Sequence, residues 1–312
     1  MVKTSVFYLT SDITINNVVQ TFLNEELLTA SPQTQKWYRC RLGLFMSAIG
    51  IDRPITDISK MDLLTWWKNL DFRTRTVPPD LSIETFHGYV RAVRRIYKWL
   101  YEQNLIDIPL HLSLKLPHIP QRQRKGISDS NAMTLITAAS ENQRDLAILL
   151  FLESTGARRG GVASLTLDDL SVMAPEPYCR RVTLHEKGEK IRTVIMSSYA
   201  LVAMRAWLAV RKSKTDYVFV DERPGRDSGL QPGAINQLIA RYKRLAGIKG
   251  ACSPHQWRHH FCRARLKEKM PLNIVSQLAG HSTVVVTAMF YGNLLVDELQ
   301  NAYDECYKPL SE

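Results

Sequence analysis

"SPHQWRHHF", residues 253–261, puts three histidines and an arginine within six positions, between Cys252 and Cys262. Ser253 can cap a helix, Pro254 suits the first helical position, and Gln256 stands where a capping box with Ser253 would close. His255 then falls in the first turn with Arg258 three residues on, so both project from one face. The unpaired N–H groups and positive dipole end of such a helix start favour an anion, and a phosphate fits. Trp257 and Phe261, four apart on another face, anchor the helix in a core. A second reading stays open here. Cys252, His255, His259 and Cys262 form C-x2-H-x3-H-x2-C, and zinc accepts such ligands, although the ~12-residue loop that separates ligand pairs in zinc modules is missing. For His259 and His260 taken singly, a structural role is the plainer expectation.

The rest of the chain bears on that choice. Its 312 residues carry a formal charge of +11, which favours a polyanionic partner such as nucleic acid over a neutral metabolite. A hydrophobic share of 45% is enough for real cores, and no apolar run reaches the ~20 residues of a membrane span. The start, "MVKTSVFYLTSDITINN", has no signal-peptide pattern. Five scattered cysteines suggest a reducing compartment, so a cytoplasmic protein is expected.

Four helices are expected in the first hundred residues: "TINNVVQTFLNEELL", "SPQTQKWYRCRLGLFMSAIG" with Ser31 as cap and Gly50 as stop, "TDISKMDLLTWWKNL", and "LSIETFHGYVRAVRRIYKWLYEQNL". On the last, Arg91, Arg94, Arg95 and Lys98 recur at helical intervals. With Lys36, Arg39 and Arg41 they suggest a surface that lies on phosphates, although each alone reads as a solvated charge. Residues 109–126, "PLHLSLKLPHIPQRQRKG", hold three prolines and the basic Arg122, Arg124 and Lys125, and read as a linker. That divides the chain into 1–108, the linker 109–126, and 127–312. The last part predicts helices at 129–140, 141–155, 198–212, 232–246, 254–269, 271–279 and 295–307. It also predicts a hairpin in "RRVTLHEKGEKIRTVIMS" and a third strand at "DYVFV". The expected class is mainly α with a small antiparallel β-sheet, an α+β fold.

Three further stretches carry polar residues: "STGARRGGVASLTLDDL" (154–170), "LHEKGEKIR" with Lys187 at a hairpin tip, and "LAGHSTVVVTAMFYGN" (278–293). Singly, Arg158 reads as a surface charge, Lys187 as a turn lysine, His281 as a cap and Tyr291 as a core aromatic. In order, T-G-A-R (155–158), K-G (187–188), H-Q-W-R-H (255–259), A-G-H (279–281) and Tyr291 resemble the motifs of the tyrosine recombinase (phage integrase) family.

The resemblance implies a helical DNA-binding domain followed by a catalytic domain, closing as a clamp on duplex DNA. It implies site-specific recombination: Tyr291 as nucleophile, Arg158 and Arg258 clamping the phosphate, Lys187 as general acid, His255 assisting proton transfer, and His281 bonding the phosphate. It further implies no metal or other cofactor, paired recombination sites as partner, a homo-tetramer, a Holliday-junction intermediate, and action at the nucleoid on a mobile element or a chromosome. With the first helix starting near residue 13, the arm-binding domain of many phage integrases is not expected. Two departures stand out. His281 and Tyr291 are ten residues apart where nine is usual, and Gly161 occupies the position, three after Arg158, where the family often carries an acid. Three other readings share parts of the pattern: a type IB topoisomerase, a non-catalytic DNA-binding regulator, and the zinc-dependent protein.

Overall fold

A computed structural model describes residues 13–70, 82–119, 126–186, 190–291 and 303. The chain forms two compact units, Met1–Gln121 and Arg122–Glu312.

The first unit is built from α1 (Ile15–Glu25), α2 (Pro32–Ile49), α3 (Lys60–Asn69) and α4 (Ile83–Glu102). Local sequence sets each start. The side chains of Thr14, Ser31, Ser59 and Ser82 accept from backbone N–H groups three residues on, satisfying donors that a helix start leaves unpaired. Asp62 answers Ser59 to complete a capping box, and its carboxylate also takes Nη1 of Arg53 at 2.9 Å. In α1, Ile15, Val18, Val19, Phe22 and Leu23 follow the 3.6-residue period and are buried. α4 contributes Phe86, Val90, Val93, Ile96, Tyr97 and Leu100 to the same core. Phe45 of α2 lies edge-on to Trp66 and Tyr97, with ring centroids 5.0 and 6.2 Å apart. Cutting Phe45 to alanine in so packed a place costs about 3–5 kcal/mol.

The second unit centres on α6 (Gln143–Thr155), whose Ala147, Ile148, Leu149, Phe151 and Leu152 are all buried. A helix apolar on most sides must be enclosed, and α8 (Ser198–Val210) and α10 (Pro254–Lys267) pack on it. Around these stand α5 (Asp129–Ala138), the short α7 (Arg159–Ala163), α9 (Pro232–Leu245), α11 (Leu272–Ala279) and α12 (Val284–Tyr291). The sheet is one antiparallel pair, β1 (Arg181–Glu186) and β2 (Lys190–Ile195), in register from Arg181 opposite Ile195 to Glu186 opposite Lys190. Val182, Leu184 and Val194 turn into the core. α10 joins two apolar clusters: Trp257 enters the main core, whereas Phe261, Cys262 and Leu266 meet Val275 and Ala279 of α11. Gly126 lies against the α10 backbone, where a Cβ would fall 2.6 Å from the His260 nitrogen.

The mainly α class with a small antiparallel sheet is what the structure has. Three local expectations need correction. "DYVFV" forms no strand: Tyr217 and Val220 make isolated bridges to Thr166 and Gly229. The segment divides its backbone bonds between Leu165 on one side and Leu230 on the other, and the Trp207 indole N–H donates to the Val218 carbonyl. No capping box forms at Ser253. Its hydroxyl makes no cap bond, and its carbonyl accepts instead from the Gln256 and Trp257 nitrogens. The Gln256 carbonyl is in turn taken by the Ile127 nitrogen, so a tertiary contact orders that turn. Residues 284–291, a β-branched run given no element from sequence, form α12. The expected helix 295–307 lies outside the described residues apart from Tyr303.

Candidate active site

Two glycines end helices in the left-handed conformation, Gly156 after α6 at φ +59 and Gly280 after α11 at φ +64. Such caps suit glycine because a Cβ is strained there, and both sites are also too crowded for one. A Cβ on Gly156 would sit 2.6 Å from the Phe261 ring, and one on Gly280 2.7 Å from Cδ of Arg192. Each glycine carbonyl accepts an arginine from a different motif. Gly156 takes Nη1 of Arg258 at 3.1 Å, and Gly280 takes Nη2 of Arg158 at 3.1 Å. The ends of α6 and α11 thus cross-brace the two arginines.

Arg158 immediately precedes α7 and opens on a cavity of 380 Å³ lined also by His255, His185, Gly160, Gly161 and Ser164. His255 is exposed in the first turn of α10, and Arg258 is buried, with 5% of its surface accessible. His281 follows Gly280 directly, and its Nδ1 lies 2.6 Å from Oγ1 of the fully buried Thr287 in α12. Burial, reinforced by the charges of Arg258 and Arg158, pushes the His281 pKa down to about 4. The imidazole is therefore neutral at physiological pH and close to two guanidiniums. Burial also lowers the pKa of Arg158, and that of Arg192 to about 10, leaving Arg192 charged at neutral pH.

Among the sequence-selected residues, the structure thus gathers Arg158, His255, Arg258 and His281. Lys187 lies outside the described residues. Tyr291 is the last residue of α12, and its side chain is likewise outside the description. His260 is a core histidine: its Nδ1 is 3.1 Å from the Ile127 carbonyl and its ring meets Trp257 edge-on. Cys262 is buried in the apolar cluster with Phe261 and Leu266. Among the described residues no three His, Cys, Asp or Glu side chains converge as metal ligands.

The basic residues of the first unit separate into two groups. Arg41 and Arg91 both stack on Trp37, at 4.0 and 4.8 Å from its ring centre, with Lys36 and Arg39 exposed on the same helix as Trp37. Gly88 of α4 clears room for this stack, since a Cβ there would come within 3.0 Å of Arg41 Nε. Arg94 instead donates to the Leu114 carbonyl at 3.0 Å, Arg95 pairs with Glu26, and Lys98 lies 3.3 Å from Glu102. Arg122, Arg124 and Lys125 lie outside the described residues.

Sequence reading passed over several parts of this arrangement: the glycine carbonyls, Thr287, and the pair Glu186 and Arg192. The hairpin register held a usable signal for the last two. Glu186 faces Lys190 and Leu184 faces Arg192, which makes Glu186 and Arg192 a diagonal pair on one face.

Residues 127–297 match the phage integrase family. The tyrosine recombinase XerC of Actinobacillus pleuropneumoniae serotype 7 (strain AP76) is 30% identical over 222 residues, covering 69% of this chain and 70% of that protein. Tyrosine recombinase XerA of Pyrococcus horikoshii is 28% identical over 221 residues, covering 71% and 73%. Among solved structures, XerH recombinase bound to a difH substrate before cleavage superposes with a TM-score of 0.70 at 14% identity, over 95% of this chain and 98% of that one. A lambda integrase dimer bound to a core site gives 0.71 at 11% identity, over 89% and 77%. At those identities the two structures speak for the fold. Among the described residues, no helix is long and apolar enough to cross a membrane.

Proposed function

The chain belongs to the phage integrase family, and from that premise we propose that it is a site-specific tyrosine recombinase that cuts and rejoins duplex DNA. The observation that carries this reading is the convergence of Arg158, Arg258 and a neutral His281 on the two glycine caps, with His255 lining the cavity that Arg158 faces.

The chemistry follows from the residues. The Tyr291 hydroxyl attacks a backbone phosphorus, forming a 3′-phosphotyrosyl bond while the bond to the 5′-oxygen breaks. His255 receives the tyrosine proton, and Lys187 gives one to the departing 5′-oxygen. Negative charge that builds on the non-bridging oxygens is met by Arg158 and Arg258, whose planar forks stay charged and are already held in place. His281 donates from Nε2 to the phosphate, which requires Nδ1 to accept from the Thr287 hydroxyl. The phosphodiester energy is kept in the covalent link, so rejoining calls for no cofactor or nucleotide.

The first unit acts as a helical DNA-binding domain, whose core also takes in Leu110 and Leu114 of the expected linker 109–126, and the second unit acts as the catalytic domain. The Trp37 stack is the best supported phosphate-facing feature of the first unit, because cation–π contact orders Arg41 and Arg91 without neutralising them. The working form is a tetramer on two paired sites, passing through a Holliday junction, in the cytoplasm at the nucleoid.

The test is exchange itself. A duplex selected by the protein from a randomised pool is placed twice in one supercoiled plasmid. Recombination yields products whose flanks have switched partners. Relaxation that proceeds equally on a one-site plasmid, with no exchange of flanks, would instead indicate a topoisomerase.

A further inference from the structure

The side chain that holds Arg158 in place comes from the hairpin. Glu186, the last residue of β1, accepts from Nη1 of Arg158 through one carboxylate oxygen. Through the other it accepts from Nη2 and Nε of Arg192, at 3.0 and 3.2 Å. Arg192 also donates to the Leu278 carbonyl, two residues before Gly280. The Glu186 and Arg192 side chains are 6% and 11% exposed, whereas Arg158 is 39% exposed on its cavity side. A carboxylate this deeply buried persists only when its charge and lone pairs are met, and here two guanidiniums meet them.

Position 161 offers nothing comparable. A Cβ on Gly161 would find only Cδ2 of Leu184 at 3.8 Å and the His185 carbonyl at 3.9 Å, so α7 sends no carboxylate towards Arg158. The acid arrives from β1 instead, one residue before Lys187. Arg158 has five N–H bonds. One goes to Glu186 and one to Gly280, and the rest remain for a ligand in the cavity.

We propose that Glu186 is the positioning residue of Arg158: it fixes the guanidinium for phosphate and ties it to the strand that leads into Lys187. This rests on the recombinase reading above. One carboxylate oxygen of Glu186 is engaged by Arg158 and the other by Arg192, so Glu186 acts on the phosphate through Arg158. Glutamine at 186 keeps the shape but presents one oxygen and one NH2 group to two arginines, and one of those arginines loses its acceptor.

The test is a double-mutant cycle on covalent adduct formation. The substrate is a pool-selected duplex nicked next to the phosphate that the wild-type protein cleaves. Glu186→Gln should slow single-turnover adduct formation on the order of 100-fold, as expected for a misplaced reacting group, with duplex affinity unchanged. In an Arg158→Lys background the same change should cost less than about 3-fold, because coupled residues are not additive. Glu186→Asp, which keeps the charge on a shorter arm, should recover part of the rate; it carries the same cycle if the glutamine variant melts early. Equal losses in both backgrounds, or a glutamine variant at the wild-type rate, would overturn the proposal. Failure of the wild-type protein to form any adduct would instead defeat the recombinase reading, and this proposal with it.

Discussion

The carbonyl oxygen of Gly156 accepts Nη1 of Arg258 at 3.1 Å, although the two residues are 102 positions apart. The glycine ends α6 in the left-handed conformation and rests against Phe261, one turn beyond Arg258 on α10. One residue therefore stops a core helix, seats a second helix against it, and orients the arginine proposed to bind phosphate.

Gly156→Ala tests that arrangement. The residue combines left-handed strain with a Cβ driven into the Phe261 ring, and together these should cost about 3 kcal/mol of stability. Thermal denaturation should show a clear drop in midpoint. Where the variant is still folded, its cleavage should fall as well, because Arg258 moves with the carbonyl.

Arg258→Lys retains the charge but not the fork. The buried site has a fixed acceptor in Gly156 and, in the proposed reaction, a phosphate oxygen beyond it. Single-turnover cleavage should fall on the order of 100-fold to 1000-fold, the range for losing one preorganised donor. Duplex affinity, measured by fluorescence anisotropy, should change little.

His281 gives a pH prediction. Its folded pKa, near 4, lies below the ordinary 6.5, so between those values the unfolded chain holds a proton that the folded protein does not. Stability should therefore rise with pH from 4 to 6.5 and be complete above that window. Denaturant titrations across the range should show the slope, and His281→Asn should flatten it. Thr287→Val, which deletes the hydroxyl facing Nδ1, should slow cleavage, with Thr287→Ser restoring it.

The two groups of basic residues in the first unit should behave differently in salt. Arg91→Ala removes an arginine stacked on Trp37 and should lower the slope of log affinity against log salt by about 1. Arg94→Ala removes a donor to the Leu114 carbonyl, so it should reduce thermal stability with little change in that slope. Equal slopes for the two variants would argue against the Trp37 stack as the phosphate-facing feature.

Much of this was legible in the sequence because the signals are local. Ser31 with Pro32 and Gly50 bound a helix by caps and a stop, and the apolar period of α4 marks its buried face. The site motifs were legible as an ordered set of residue types. What escaped was decided by tertiary context. Val284–Tyr291 is helical despite a β-branched start, with Thr287 buried and bonded to His281. Arg94 and Arg95 share a helical rhythm with Arg91, yet their partners, Leu114 and Glu26, lie far away in sequence. Glu186 carries no local signal of its pairing with Arg158, which is 28 residues away and on another element.

The proposed mechanism stands on Tyr291 becoming covalently joined to DNA. A pool-selected duplex, nicked so that cleavage releases a short fragment and traps the protein, is incubated with chelator present. The wild-type protein should form an adduct that resists denaturation and maps by peptide sequencing to Tyr291, and the released fragment should carry a free 5′-hydroxyl. Tyr291→Phe should form none. An adduct that persists in the phenylalanine variant, or that maps to Tyr303 or Tyr307, would contradict it.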